Sequence, residues 1–317
     1  MANVFVNHIS DGQLVSAAIS KTGKILKRQS QAARLSSGKT LAGQLRSVGK
    51  LLLGSQEPAR IGLAAPYVAG DELWFSFAKD AKPLRLSSVL RKSLGRAPVI
   101  QSAVRAALVG EQWLGEARKK QNVVLLRVGQ EISAAVMLEG KLYNGTHDLA
   151  ASAAWMAISE ADGDEIRRYG GLQTLASTSA LVHAAQGALE AGFGGNLGGH
   201  QPDQISFNSV CKAARRRDPL SQQLFHRLGR LLGLAAANFI SLFDPEVVII
   251  SGPLIEAFDL YWKTLQETAL ARCHPLLANK VEIRLSKLGD DAILVGLARL
   301  AVGESQSVPG SQFIAHS

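Results

Sequence analysis

A few residues in this chain have the types and spacing for chemistry. His147-Asp148 is its one histidine–carboxylate neighbour pair; such a pair activates a nucleophile only where a partner hydroxyl or thiol converges on it. Arg215-Arg216-Arg217 could hold phosphate, although no aromatic residues interleave it and a solvated helix face is the plainer reading. His8, His147, His183, His200, His226, His274 and His316 share no metal-ligand spacing, and Cys211 and Cys273 are too few for a zinc ribbon or a disulfide framework. The sequence therefore offers no metal site and no cofactor site of its own. Ala191–His200 carries five glycines, but it follows a helix rather than a strand. It reads as a flexible loop, not a dinucleotide fingerprint.

Elements must position these groups, and periodicity indicates which. Val4–Val6 and Val15–Ile19 read as strands joined at Ser10-Asp11-Gly12, a short hairpin signal, with Ile25–Gln29 as a third strand. Apolar residues at helical spacing mark Thr40–Leu53, Leu86–Leu94 and the alanine-rich Ala103–Glu116, with short strands at Arg60–Ala65 and Ala97–Gln101. The pattern restarts after Lys119-Lys120-Gln121: Val123–Val128, a turn at Gly129-Gln130-Glu131, Ser133–Leu138, then Leu142-Tyr143. Strand–turn–strand–turn–strand thus occurs twice, a duplication of architecture rather than of residues. Leu220–Phe243 predicts a long helix that stops before Asp244-Pro245. The wholly apolar Val247–Ile250 is typical of a strand covered on both faces. Val281–Leu285 and Asp291–Val302 close the chain as strand and helix, and Ser305–Ser317 lacks any period and reads as a tail.

At 317 residues, 47% hydrophobic and 19% charged, the chain can bury two ordinary cores. No apolar run reaches the length of a membrane span, and no secretory signal opens it, so a soluble cytoplasmic protein is expected. The net charge of +9 is uneven: residues 1–121 hold 19 Lys and Arg against 7 Asp and Glu, and Lys21–Lys50 holds eight cations and no acid. Such a surface attracts polyanions without specifying one.

Three segments carry a resemblance. Ile61–Pro66, Leu228–Gly252 and Leu288-Gly289-Asp290-Asp291-Ala292 with Gly296 are similar in order and spacing to the ROK proteins (repressors, open reading frames and sugar kinases). The resemblance implies an α/β, two-domain actin-like ATPase fold of the hexokinase and Hsp70 type, its domains facing a cleft. The expected division is 1–121 plus 291–304, then 122–290, with 305–317 as the tail.

The framework resembles the family; the reactive positions do not. Where active members hold magnesium and phosphate on an aspartate–x–glycine–glycine–threonine loop, this chain has His8 in place of the carboxylate, followed by Asp11-Gly12. The family's glycine–threonine–glycine turn reads Gly129-Gln130-Glu131. A phosphate cradle works through bare N–H groups and positive potential, which Asp11 and Glu131 oppose. Ala103 stands where the family's catalytic aspartate takes the sugar hydroxyl's proton, and alanine can accept no proton. The sugar- and zinc-binding glutamate–x–glycine–histidine reads Ser152-Ala153-Ala154-Trp155, a further sugar-binding glutamate is Gln173, and no cysteine lies between Met156 and Ala176.

His8, Asp11, Gly12, Ala103, Gly129, Glu131, Ser152, Trp155, Gln173 and Gly252 are therefore expected to line a degenerate cleft, with no catalytic residue and no metal. The expected function is a non-catalytic binding, scaffold or regulatory module for an unknown protein or small-molecule ligand, as a homodimer. One alternative is a sugar kinase using Asp11, Glu131 or Asp148 as base. The other is a sequence-independent polyanion binder. Bulky Glu131 and Trp155 suggest partial filling of the cleft. With the first strand starting near residue 3 there is no room for the family's helix-turn-helix domain, so sequence-specific DNA binding is expected to be excluded; with no apolar run of spanning length, so is membrane association.

Overall fold

Strand β1 (Val4–Ser10) is buried along almost its whole length and lies in the middle of a five-stranded sheet. The computed structural model describes residues 4–10, 12–54, 58, 60–69, 72–74, 83–85, 87–95, 97–160, 162–193, 195–197, 199 and 201–303. β1 pairs antiparallel with β2 (Gln13–Ile19), which pairs with β3 (Ile25–Ala32). On its other side β1 runs parallel to β4 (Arg60–Ala65). Helix α1 (Gly38–Leu53), capped by the Ser37 side chain on the Thr40 amide, leads to β4. A small sheet follows: β5 (Tyr67–Ala69), β6 (Glu72–Trp74) and β7 (Leu84–Arg85). Helix α2 (Ser87–Leu94) and strand β8 (Val99–Ser102), parallel to β4, complete the first sheet, in the order β3-β2-β1-β4-β8.

Helix α3 (Ala103–Leu114) leads into a second sheet built the same way. β9 (Val123–Val128) and β10 (Ile132–Leu138) form a hairpin extended by β11 (Lys141–Leu142). Helices α4 (Asp164–Tyr169), α5 (Gly171–Ala176), α6 (Thr178–Glu190), α7 (Phe207–Arg215) and α8 (Pro219–Phe243) come before β12 (Val247–Ser251). Helix α9 (Phe258–Arg272) separates β12 from β13 (Glu282–Leu285), and α10 (Asp291–Gly303) ends the described chain. The order β11-β10-β9-β12-β13, with β9, β12 and β13 parallel, repeats the first sheet strand for strand.

Two helices fill the space between the sheets. α10 packs on β1 and β4, α3 on β9 and β10, and the two helices pack on each other. One core cluster accordingly joins Val4, Val6 and Ala64 to Leu125 and Ile249. Glycine makes the crossing possible: a Cβ at Gly296 would lie 1.7 Å from the Ala106 carbonyl oxygen, and one at Gly110 2.1 Å from that of Ala292. The outer face of the first sheet is covered by α1 and α2, and that of the second by α5 to α9. β12 shows why a continuous apolar strand is needed: Val248 and Ile250 enter the outer core while Val247 and Ile249 enter the inner one.

The glycine-rich stretch expected to be a free loop is not one. Leu197 within it is buried in the outer core, and Gly195 sits so close to Asp218 that a Cβ would meet its carboxylate at 2.2 Å. The expected tail at 305–317 lies outside the described residues.

Candidate functional site

The carboxyl ends of β1, β4, β8, β9 and β12 all open on one cleft between the sheets, the place where open α/β sheets bind ligands. His8 lies near the end of β1. Pro66 and Tyr67 follow β4. Ala103 starts α3 directly after β8. The turn Gly129–Glu131 follows β9, and Pro253 follows β12.

These residues line three adjoining recesses. The central one, of about 470 Å³, meets His8, Tyr67, Ala103, Gly129, Arg127 and Glu131. A second, of about 580 Å³, shares His8, Ser10 and Arg127 with it and adds Arg28 and Asp290. The third, of about 480 Å³, lies beyond Tyr67 and is bordered by Ser102, Arg105, Asp148, Ser152 and Trp155. The cleft is therefore open. Glu131 is exposed and Trp155 keeps 47% of its surface, so neither large residue fills it.

His8 is 7% exposed. Burial first, and the nearby Arg127 charge second, lower its pKa to about 4, so the imidazole is neutral at physiological pH. Arg127 bonds Asp290 at 2.7 Å and Arg28 bonds Asp291 at 2.8 Å, tying a strand of each sheet to the start of α10. Tyr67 donates a hydrogen bond to the Glu131 carboxylate. Burial, then that negative neighbour, push the phenol's ionisation well above its usual range.

Arg105 is 6% exposed. Its Nη2 donates to the carbonyl oxygens of Asp148 at 2.6 Å and Asn144 at 3.3 Å, while Nη1 stands 3.8 Å from the Asp148 carboxylate. The loop it holds is strained: Asp148 has φ +57° and Ala151 φ +60°.

Three further expected positions, Gln173, Gly252 and Gly12, shape turns rather than line the cleft. Gln173 accepts from the Ile132 amide and donates to the Gln130 carbonyl, both at 2.7 Å, so it braces the β9–β10 turn. Gly252, at φ +94°, lets β12 end against β9; a Cβ there would lie 2.6 Å from the Val128 carbonyl oxygen. Gly12, at φ +70°, makes the tight turn that pairs Ser10 with Gln13. Asp11 lies outside the described residues. Ser152 donates to the Leu149 carbonyl at 2.6 Å.

The family's zinc does not fit here. Its positions hold a serine bonded to backbone and an exposed tryptophan, and no group of three His, Cys, Asp or Glu converges among the described residues. Magnesium fits no better at His8, a buried neutral imidazole facing arginine.

Sequence reasoning missed Arg127, Arg105 and Tyr67. A signal existed for the first two: each is a lone cation in an apolar run, VVLLRVG and AVRAALVG. Such a residue is buried for a reason.

The profile of the ROK family matches residues 14–304. The chain belongs to the ROK family. Among ROK relatives, the xylose repressor of Caldicellulosiruptor bescii is 24% identical over 72% of this chain and 57% of its own length. The DNA-binding transcriptional repressor Mlc of Escherichia coli is 24% identical over 70% of this chain and 54% of its own. The glucokinase of Thermotoga maritima is 25% identical over 89% of this chain and 92% of its own. A ROK glucokinase from Streptomyces griseus, solved with glucose and AMPPNP, superposes with TM-score 0.78 at 22% identity, covering 95% of this chain and 99% of that one. ROK membership carries the actin-like ATPase fold, and ROK relatives include both repressors and sugar kinases. The chain spans a little more than half of the two repressors it matches.

Those repressors correct one expectation. Sequence-specific DNA binding is not excluded, because Mlc is a DNA-binding ROK relative. The exclusion rested on where the first strand starts, and that position says nothing about DNA binding by a chain matching just over half of such a repressor. As for membranes, no described helix is long and apolar enough to cross one.

Proposed function

We propose that this ROK chain is a non-catalytic binding and regulatory module: its cleft takes a ligand and does not transfer phosphate to it. One observation carries the reading. Ala103, the residue that the resemblance sets in the position of the family's base, borders the central recess and offers no lone pair. Loss of such a base removes about 10²–10⁴-fold in rate. The rest of the site supports this. Arg127 and Arg28 are already neutralised by Asp290 and Asp291, and His8 is neutral, so little positive charge remains for a triphosphate.

The test is calorimetry with ATP and magnesium, then a coupled assay over hexoses and N-acetylhexosamines. Neither turnover nor micromolar ATP affinity is expected. Turnover abolished by a cleft substitution would establish a kinase instead. Asp148, the carboxylate on the third recess, would then be the base to test first.

A second reading has its own observation. Lys21, Lys24, Lys27, Lys39 and Lys50 form no ion pair among the described residues, which leaves the N-terminal half able to hold a polyanion. Binding of duplex DNA that falls steeply between low and moderate salt would support it.

A further inference from the structure

The recess beyond Tyr67 has an unusual wall. Ser102 occupies the N-cap position of α3, yet its hydroxyl caps nothing. It is buried, has no hydrogen-bond partner, and borders the recess. A capping serine normally accepts an amide of the first turn; here that acceptor role is vacant and no acidic residue stands in the first turn to replace it. The start of a helix carries partial positive charge and unbonded amides, a setting that favours an anion.

Arg105 adds a full charge to the same wall. Among the described residues its hydrogen bonds come from Nη2, not from Nε or Nη1. Its ionic partner among them, Asp148, is 3.8 Å away and 41% exposed. Burial outweighs that partner and pulls the guanidinium below the usual arginine range, the mark of a buried cation short of negative charge. A planar guanidinium edge matches a carboxylate bidentately. Trp155 and Tyr67 give the recess flat apolar surface beside that charge.

We infer that this recess selects a small hydroxylated carboxylic acid, its carboxylate seated on Arg105, the Ser102 hydroxyl and the first turn of α3. This rests on the binding reading above and names the ligand's chemistry. The acid, rather than the neutral sugar, completes the wall.

The test is calorimetry on the full chain with two matched pairs, D-glucuronate against D-glucose and D-galacturonate against D-galactose. At least one acid should bind about tenfold or more tightly than its neutral counterpart, the effect of one gained charge-assisted contact. That preference should shrink with salt. Arg105→Gln should abolish it. Because Arg105 also holds the 144–148 loop, Ser102→Ala provides a milder second variant; it should weaken acid binding about threefold to tenfold with unchanged melting temperature. Hexoses binding as tightly as their acids, none of the four binding, or a preference that survives both substitutions would overturn the inference. Its failure is separable from that of the non-catalytic reading, which only phosphoryl transfer or tight ATP binding would sink.

Discussion

The Tyr67 hydroxyl hydrogen-bonds the Glu131 carboxylate, and in doing so joins the start of β5, just past β4 of the first sheet, to the β9–β10 turn in the second. The carboxylate that sequence reasoning aimed at a nucleotide's phosphates is instead engaged by a partner across the cleft.

Tyr67→Phe should lower stability by about 1 kcal/mol, the net worth of one hydrogen bond. It should also change the alkaline limb. A phenol whose ionisation is raised in the fold contributes stability that is complete below its ordinary pKa of 10.0 and is lost as pH climbs toward the folded value. Denaturant unfolding at pH about 8 and 10.5 should show this loss in the parent and a smaller one in the variant. The loss should not vanish, because Tyr261 is also raised by burial.

His8 sets the acid limb. Its pKa falls from 6.5 to about 4 on folding, so the unfolded chain binds the extra proton between those values. Stability is full above 6.5 and drains as pH drops toward 4, by up to about 3 kcal/mol from this group. His8→Gln should flatten that window in urea titrations. An unchanged acid limb would mean that another group governs it.

Gly296→Ala should be among the most damaging single methyl additions. The new Cβ would collide with the Ala106 carbonyl, and backbone cannot step aside as a flexible side chain can. A loss of about 3 kcal/mol or more is expected, read from the melting temperature or from insoluble expression. Truncation after Asp290, which removes α10 and bares the inner core, should give insoluble protein.

Gln173→Ala removes two bonds to one turn and should cost about 1–3 kcal/mol. Amide exchange at Ile132 should speed up. Gln173→Glu keeps the acceptor but sets a carboxylate against the Gln130 carbonyl, so it should not rescue the turn.

Much of the fold was legible because its elements are long or strongly patterned. Val123–Val128 and Val247–Ile250 read as strands from β-branched content, and Leu220–Phe243 as a helix from its period and the Asp244-Pro245 stop. The sheet formed by β5, β6 and β7 was not legible, since strands of two or three residues carry no period. The site was legible only in outline. The resemblance to the family assigned His8, Ala103, Gly129 and Glu131 to one cleft, and all four line the central recess. Gln173 was read as a lost sugar ligand, yet it is bonded to a turn 41 and 43 residues upstream, a partnership that no local pattern encodes. Tyr67 was invisible for the same reason.

The pairing of α3 with α10 has a consequence for synthesis. β1 and β4 leave the ribosome well before α10, the helix that covers their inner face. Val4, Val6 and Ala64 thus lack α10 on that side until the second sheet and its helices have been made. The second sheet has α3 and its outer helices to hand as it emerges and can consolidate first. Contacts of such sequence separation are slow to form, and the waiting apolar surface is what a chaperone would hold.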